Sequence, residues 1–189
     1  MSEYKLQETF ELQKYTKNIS GLTISEIFDR EIINLSFHIK NEKIIKKNFK
    51  KIFNFEFPDF RISTFDKKIN CRFLRMSDEQ IFLIFNKSFN SFFTKNLKEI
   101  EKYFYITEQT DAWSGIKISG ENVRECLERI CLINIKEENF PENSFSRTHI
   151  EHLGSIVIYN GSNEFELFSA KSSAKSFLES IITSAINIS

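Results

Sequence analysis

The order of apolar runs along the chain constrains its fold most, because the same order occurs twice. Glu31 to Ile39, EIINLSFHI, is dense in β-branched and aromatic residues and reads as a strand. Asn41, a capping residue type, then precedes Ile44, Ile45, Phe49, Ile52 and Phe53 at helical spacing. Beyond Phe57-Pro58, the runs INCRFLRM (Ile69 to Met76) and QIFLIF (Gln80 to Phe85) flank a polar turn at Ser77 and Asp78 and predict a β-hairpin. Ser88 opens a second helical pattern with Phe89, Phe92, Phe93, Leu97 and Ile100 on one face, and KYFYIT (Lys102 to Thr107) closes the unit as a strand.

The series restarts at Trp113. Residues 114–119, SGIKIS, read as a strand, and Ser119 is placed to cap a helix whose stripe is Val123, Cys126, Leu127, Ile130 and Cys131. Phe140-Pro141 answers Phe57-Pro58; SIVIY (Ser155 to Tyr159), the turn NGSN and EFELF (Glu164 to Phe168) answer the first hairpin. Ala174, Phe177, Leu178, Ile181, Ile182 and Ala185 mark a last amphipathic helix. The expected fold is therefore α+β: two ferredoxin-like strand-helix-strand-strand-helix repeats, mainly antiparallel, with helices on one face. The closing strand is legible only in the first repeat. The segmentation that follows is a tail at 1–20, a first repeat at 21–109 and a second at 110–189, with the two sheets side by side or joined into one.

Charge and cysteine usage narrow the function classes. Lys+Arg and Asp+Glu balance at 26 each, so the strongly basic character of a nucleic-acid binder is missing. The Lys46, Lys47, Lys50 and Lys51 cluster reads as the solvated face of a helix. Cys71, Cys126 and Cys131 form no CxxC pair and no complete disulfide set, which points to a reducing, cytoplasmic setting. Met1 to Asn18 lacks the continuous apolar run of a signal peptide or membrane span. The 21 Phe residues fall mostly at regular apolar positions and read as core.

No residue set announces catalysis, cofactor binding or metal binding. His149 and His152 lie in a run, SRTHIEHL, that reads as one strand, where positions three apart face opposite ways; His38 stands alone. Cys126 and Cys131 fall on the apolar stripe of a helix, and Cys71 lies in a strand with no His near it in sequence. No nucleophile elbow, P-loop or GxGxxG occurs, and five glycines leave little for phosphate-cradling loops. The candidates that remain are interface residues. Asp111 and Trp113, the single Trp, sit in the junction EQTDAWSGIKISG, where they can position the two halves or contact a partner, or serve as a turn former and a core residue. Arg147, between Ser146 and Thr148, has few acidic partners nearby in sequence and is of the type that anchors interfaces.

These residues resemble the gamma subunit of heterotetrameric sarcosine oxidase, a family related in fold to the folate-binding domain of aminomethyltransferases. The resemblance runs from about Gly21 to Ile186. It is carried by Gly21-Leu22-Thr23-Ile24 with Glu26, by Asp78-Glu79, by Gln109-Thr110-Asp111-Ala112-Trp113 leading into Lys117-Ile118-Ser119-Gly120, and by Phe140-Pro141 with Arg147-Thr148. Phe165-Glu166-Leu167, with Ser172 and Ala174, completes it. The resemblance implies a non-catalytic subunit of a flavin-dependent enzyme that demethylates sarcosine to glycine, forming 5,10-methylenetetrahydrofolate and hydrogen peroxide. It implies alpha, beta and delta partner subunits, with FAD, FMN, NAD, tetrahydrofolate and zinc on those subunits and none on this chain. The alternatives are a subunit of a related N-methylglutamate dehydrogenase, a free-standing folate-binding module, and an independent hydrolase.

Overall fold

The computed structural model describes residues 12–86 and 90–188. The N-terminal hairpin pairs β1 (Thr16–Ile19) with β2 (Leu22–Ile27) across Ser20 and Gly21, both at positive φ as a tight hairpin requires. The first repeat follows as β3 (Arg30–Ser36), α1 (Glu42–Phe53), β4 (Thr64–Asp66), β5 (Cys71–Ser77), β6 (Gln80–Asn86), α2 (Asn90–Ile100) and β7 (Tyr105–Glu108). The second is β8 (Trp113–Ser119), α3 (Val123–Glu128), β9 (Phe145–Ile150), β10 (Leu153–Gly161), β11 (Glu164–Ala170) and α4 (Ala174–Ile186).

The first repeat's sheet has the order β4-β5-β6-β3-β7 and the second's the order β1-β2-β8-β11-β10-β9, every neighbouring pair antiparallel. Without the outer strands β4, β9 and β1, both sheets show the ferredoxin-like order, β7-β3-β6-β5 and β2-β8-β11-β10. The closing strand missing from the second repeat's sequence is thus β2, which comes from the opposite end of the chain. Segments drawn by sequence order at 1–20, 21–109 and 110–189 do not follow the sheets, because Thr16–Ile27 belongs to the second one.

Each sheet buries both faces. On one face α1 and α2 pack Ile45, Phe49, Phe53, Phe93 and Ile100 over the first sheet, while α3 and α4 pack Val123, Leu127, Phe177 and Ile181 over the second. On the other face the sheets meet each other through Ile32, Leu74, Phe82 and Ile84 from one and Phe145, Ile156, Ile158 and Phe168 from the other. The sheets therefore stack face to face, in place of the side-by-side or continuous arrangement expected from the sequence. Phe82, Leu74 and Phe168 needed an apolar partner that the helices could not also supply.

Local chemistry explains the other departures. Asn41 occupies the N-cap position of α1, yet its side chain makes no capping bond, and Ile44 points to solvent. Ser119 ends β8, and α3 begins four residues later behind Asn122. The apolar stripe through Cys131 is helical only to Glu128, because Cys131 leaves to bridge Ile150 of β9. SRTHIEHL is not one strand: Glu151 adopts φ 52° and the chain folds back, pairing Ile150 with Leu153. Ser88 and Phe89 lie outside the described residues.

Gly115 makes the stacking possible. A Cβ there would lie 2.8 Å from Phe168 Cε1 and 3.1 Å from Ile27 Cβ, in the layer between the sheets. Gly115→Val is expected to cost about 1–3 kcal/mol through overpacking. Urea unfolding of that variant checks this, and trimming the obstructing ring with Phe168→Leu is expected to recover part of the loss.

Candidate functional site

The registers align the two repeats residue by residue. The chain of partners Glu108–Ile33–Leu83–Phe73 in the first sheet corresponds to Glu26–Ile116–Leu167–Val157 in the second. Both hairpins also shift register by one residue just before the turn, at Arg75/Ser77 and Tyr159/Gly161. The layer between the sheets is consequently pseudo-symmetric, and Phe82 with Trp113 at one end matches Glu166 with Arg30 at the other.

The two ends differ in chemistry. At the first, the Phe82 and Trp113 rings meet edge to face with centroids 6.0 Å apart, packed on Leu74 and Met76. At the second, Glu166, only 6% exposed, lies 3.8 Å from Arg72 Nε and 3.9 Å from Arg30 Nη2. Arg72, 8% exposed, donates to Ser63 Oγ and, at 2.7 Å, to Asn160 Oδ1 across the sheets. Asn160 donates in turn to Glu164, which pairs with Lys117 at 3.4 Å. Burial depresses the Arg72 guanidinium's pKa, against the supporting charge of Glu166. A position that packing alone would fill with an apolar ring carries a carboxylate, and such departures from local consistency mark sites selected for something other than packing.

The structure distributes the sequence-derived candidates over three places. Asp111 lies on the exposed turn Thr110–Ala112, where Lys171 Nζ approaches its carboxylate to 3.2 Å and ties the junction to the start of α4. Trp113 is half-buried between the sheets, and its Nε1 is buried with no hydrogen-bond partner among the described residues. Arg147 is exposed on β9, opposite Ile156 and on the same face as Phe145. Arg72, Arg30 and Glu166 escaped the sequence reading of sites; Arg72 and Glu166 showed only as charges within the apolar runs CRFLRM and EFELF, and Arg30, just ahead of EIINLSFHI, gave no signal.

Other reactive groups have structural surroundings. Burial pushes the Cys71 thiol well up, and the Cys126 and Cys131 thiols up as well, which keeps all three protonated. His149 lies on β9 and His152 in the turn that follows, and among the described residues no group of three or more His, Cys, Asp or Glu could hold a metal ion. An open groove of about 400 Å³ runs along α4 between Ser176, Glu179, Ser180 and Thr183 on one side and Arg129 and Glu151 on the other. No helix among the described residues is long and apolar enough to cross a membrane.

No protein-family model and no curated protein matches the chain. Solved structures do resemble it. A chain of heterotetrameric sarcosine oxidase from Corynebacterium sp. U-96, in complex with pyrrole 2-carboxylate, is 10% identical and superimposes with a TM-score of 0.78, covering 94% of this chain and 94% of that one. Aminomethyltransferase T of the glycine cleavage system from Bartonella henselae is 11% identical, with a TM-score of 0.57, covering 83% of this chain and 44% of that one. At these identities the likeness establishes the fold.

Removing one partner of the buried ion cluster leaves the other charge uncompensated. Glu166→Ala is expected to cost about 3–5 kcal/mol, whereas Glu166→Leu combined with Arg72→Met regains most of that loss. Denaturation midpoints of the single and double variants check the coupling.

Proposed function

We propose that this chain is a non-catalytic subunit of an oligomeric enzyme of the heterotetrameric sarcosine oxidase type, in the gamma-subunit role. The observation that carries the reading is the mutual 94% coverage at a TM-score of 0.78: the fold match takes in nearly all of this chain and of a chain of that heterotetramer. The aminomethyltransferase, by contrast, extends well beyond the matched region. In this reading alpha, beta and delta subunits carry FAD, FMN, NAD, tetrahydrofolate and zinc. The assembly converts sarcosine to glycine with 5,10-methylenetetrahydrofolate and hydrogen peroxide as co-products, and this chain supplies a docking body. The buried charges fit that role, since Arg30 and Arg72 of the first sheet both face Glu166 of the second.

The test compares the chain alone with the chain isolated, through an affinity tag, from its source cells. Alone it is expected to be colourless and to form no peroxide from sarcosine; the isolated complex is expected to contain stoichiometric flavoprotein chains and to form peroxide. Arg147→Ala is expected to lower flavoprotein recovery while moving stability by less than about 0.5 kcal/mol, as an exposed substitution should. Stoichiometric flavin on the lone chain, or a chain recovered without flavoprotein, would contradict the proposal. Tight tetrahydrofolate binding by the lone chain would favour the free-standing folate-binding module instead.

A further inference from the structure

We infer that the outer edge of β7 is an acceptor for an extended segment of a partner polypeptide, which joins the first sheet as a further antiparallel strand. The molecule contains its own precedent. In the second sheet β2 holds the position that β7 holds in the first, and the outer edge of β2 is filled by β1. Among the described residues no strand pairs with the outer edge of β7.

The two edges share the residue that grips the added strand. Glu26 of β2 and Glu108 of β7 occupy equivalent registers, opposite Ile116 and Ile33. The Glu26 carboxylate accepts the backbone N–H groups of Leu12 at 3.2 Å and Lys14 at 2.6 Å, in the lead-in to β1, while its own N–H donates to Tyr15. One oxygen of Glu108 accepts the Thr110 N–H at 3.1 Å, and the other makes no hydrogen bond among the described residues. Gln109 donates to Ile32, so by alternation Tyr105 and Thr107 turn their backbone groups toward β3, and Ile106 and Glu108 turn theirs outward.

The edge is short and carries one charge, Glu108, but lacks the other devices that prevent pairing. Tyr105-Ile106-Thr107-Glu108 favours strand, contains no Lys, Pro or bulge, and begins on Tyr105, which is 78% exposed. Strand addition is an established way for such an edge to bind a peptide: backbone bonds provide attachment and alternate side chains provide selectivity. The partner segment should place an apolar residue beside Ile106, which packs against the first helical core. It must also bring free backbone N–H groups to Glu108.

A second copy of this chain does not fit that requirement. If β7 paired with β7 of another molecule, the lead-in reaching Glu108 would be residues 101–104. Glu101 N–H already donates to Leu97, and Tyr103 and Phe104 N–H donate to Ile100, at the end of α2, which leaves the Lys102 N–H alone where Glu26 takes two. A second copy's own 12–19 segment is already held on its β2, so the occupant is a different chain. This deepens the subunit reading by naming where and how a partner docks.

The test needs no partner subunit: amide hydrogen exchange of the intact chain, alone and with a millimolar synthetic peptide of its own residues 12–19. Alone, the Ile106 and Glu108 amides are expected to exchange faster than those of Thr107 and Gln109. The peptide should slow Ile106 and Glu108 by at least about tenfold, as capture of open amides requires. Glu108→Gln, which leaves one acceptor oxygen in place of two, should weaken that protection, and Ile106→Pro, which removes an outward donor together with a packed side chain, should abolish it. Ile106 and Glu108 amides as protected as Thr107 in the lone chain, no slowing by the peptide, or an unchanged response in Glu108→Gln would each overturn the inference. Protection by the peptide in a chain recovered without flavoprotein would uphold the acceptor and sink the subunit reading. Flavoprotein recovery with no protection of β7 would do the reverse.

Discussion

The contact between the two sheets is the constraint on which the rest of the structure depends. A sheet covered by helices on one side can leave its other side to water, and its strands then alternate. Here Cys71 and Phe73 face the helices while Leu74 faces the other sheet, and Ile81, Leu83 and Phe85 alternate with Phe82 and Ile84 in the same way. Both faces are dry, so the strands become nearly continuous apolar runs. Neither repeat can keep that pattern without the other, and Gly115 is needed where Phe168 and Ile27 come too close for any side chain.

The layer between the sheets is pseudo-symmetric in register, and its two ends differ in chemistry. Phe82 on Trp113 seals one end by ring packing; Glu166, Arg30 and Arg72 close the other with charge and with the bond from Arg72 to Asn160. The ionic end brings geometric selectivity, because Arg72 reaches Ser63, in the lead-in to β4, and Asn160 of the opposite sheet only in one alignment. The N-terminal hairpin adds a second tie: β2 completes a sheet whose other strands come from the far half of the chain.

Most elements were legible in the sequence because their periods are local. The hairpins around Ser77 and Gly161, the helices bearing Phe49 and Phe177 and the repeated order all emerged from spacing. Stacking did not, because an apolar run buried on both faces specifies no partner for either. The donation of β2 escaped for a related reason: Leu22 to Ile27 reads as a strand-forming stretch with nothing local to assign it to the distant β8. The β9–β10 hairpin was hidden because its turn, Glu151-His152, lacks glycine and depends on Glu151 accepting φ 52°. At the candidate site, Trp113 stood out in the sequence as the single Trp at the junction, and the structure packs it against the layer between the sheets; its counterpart Arg30 and the Arg72–Glu166 pair could be seen only once the registers were known.

A chain built this way is a two-sheet body in which, among the described residues, no strand pairs with the outer edge of β7. That account requires the two repeats to behave as one cooperative unit. Differential scanning calorimetry of the intact chain tests it most directly. A single transition, with calorimetric and van't Hoff enthalpies equal, is the result the account predicts. Two separated transitions, with one repeat melting while the other stays folded, would contradict it.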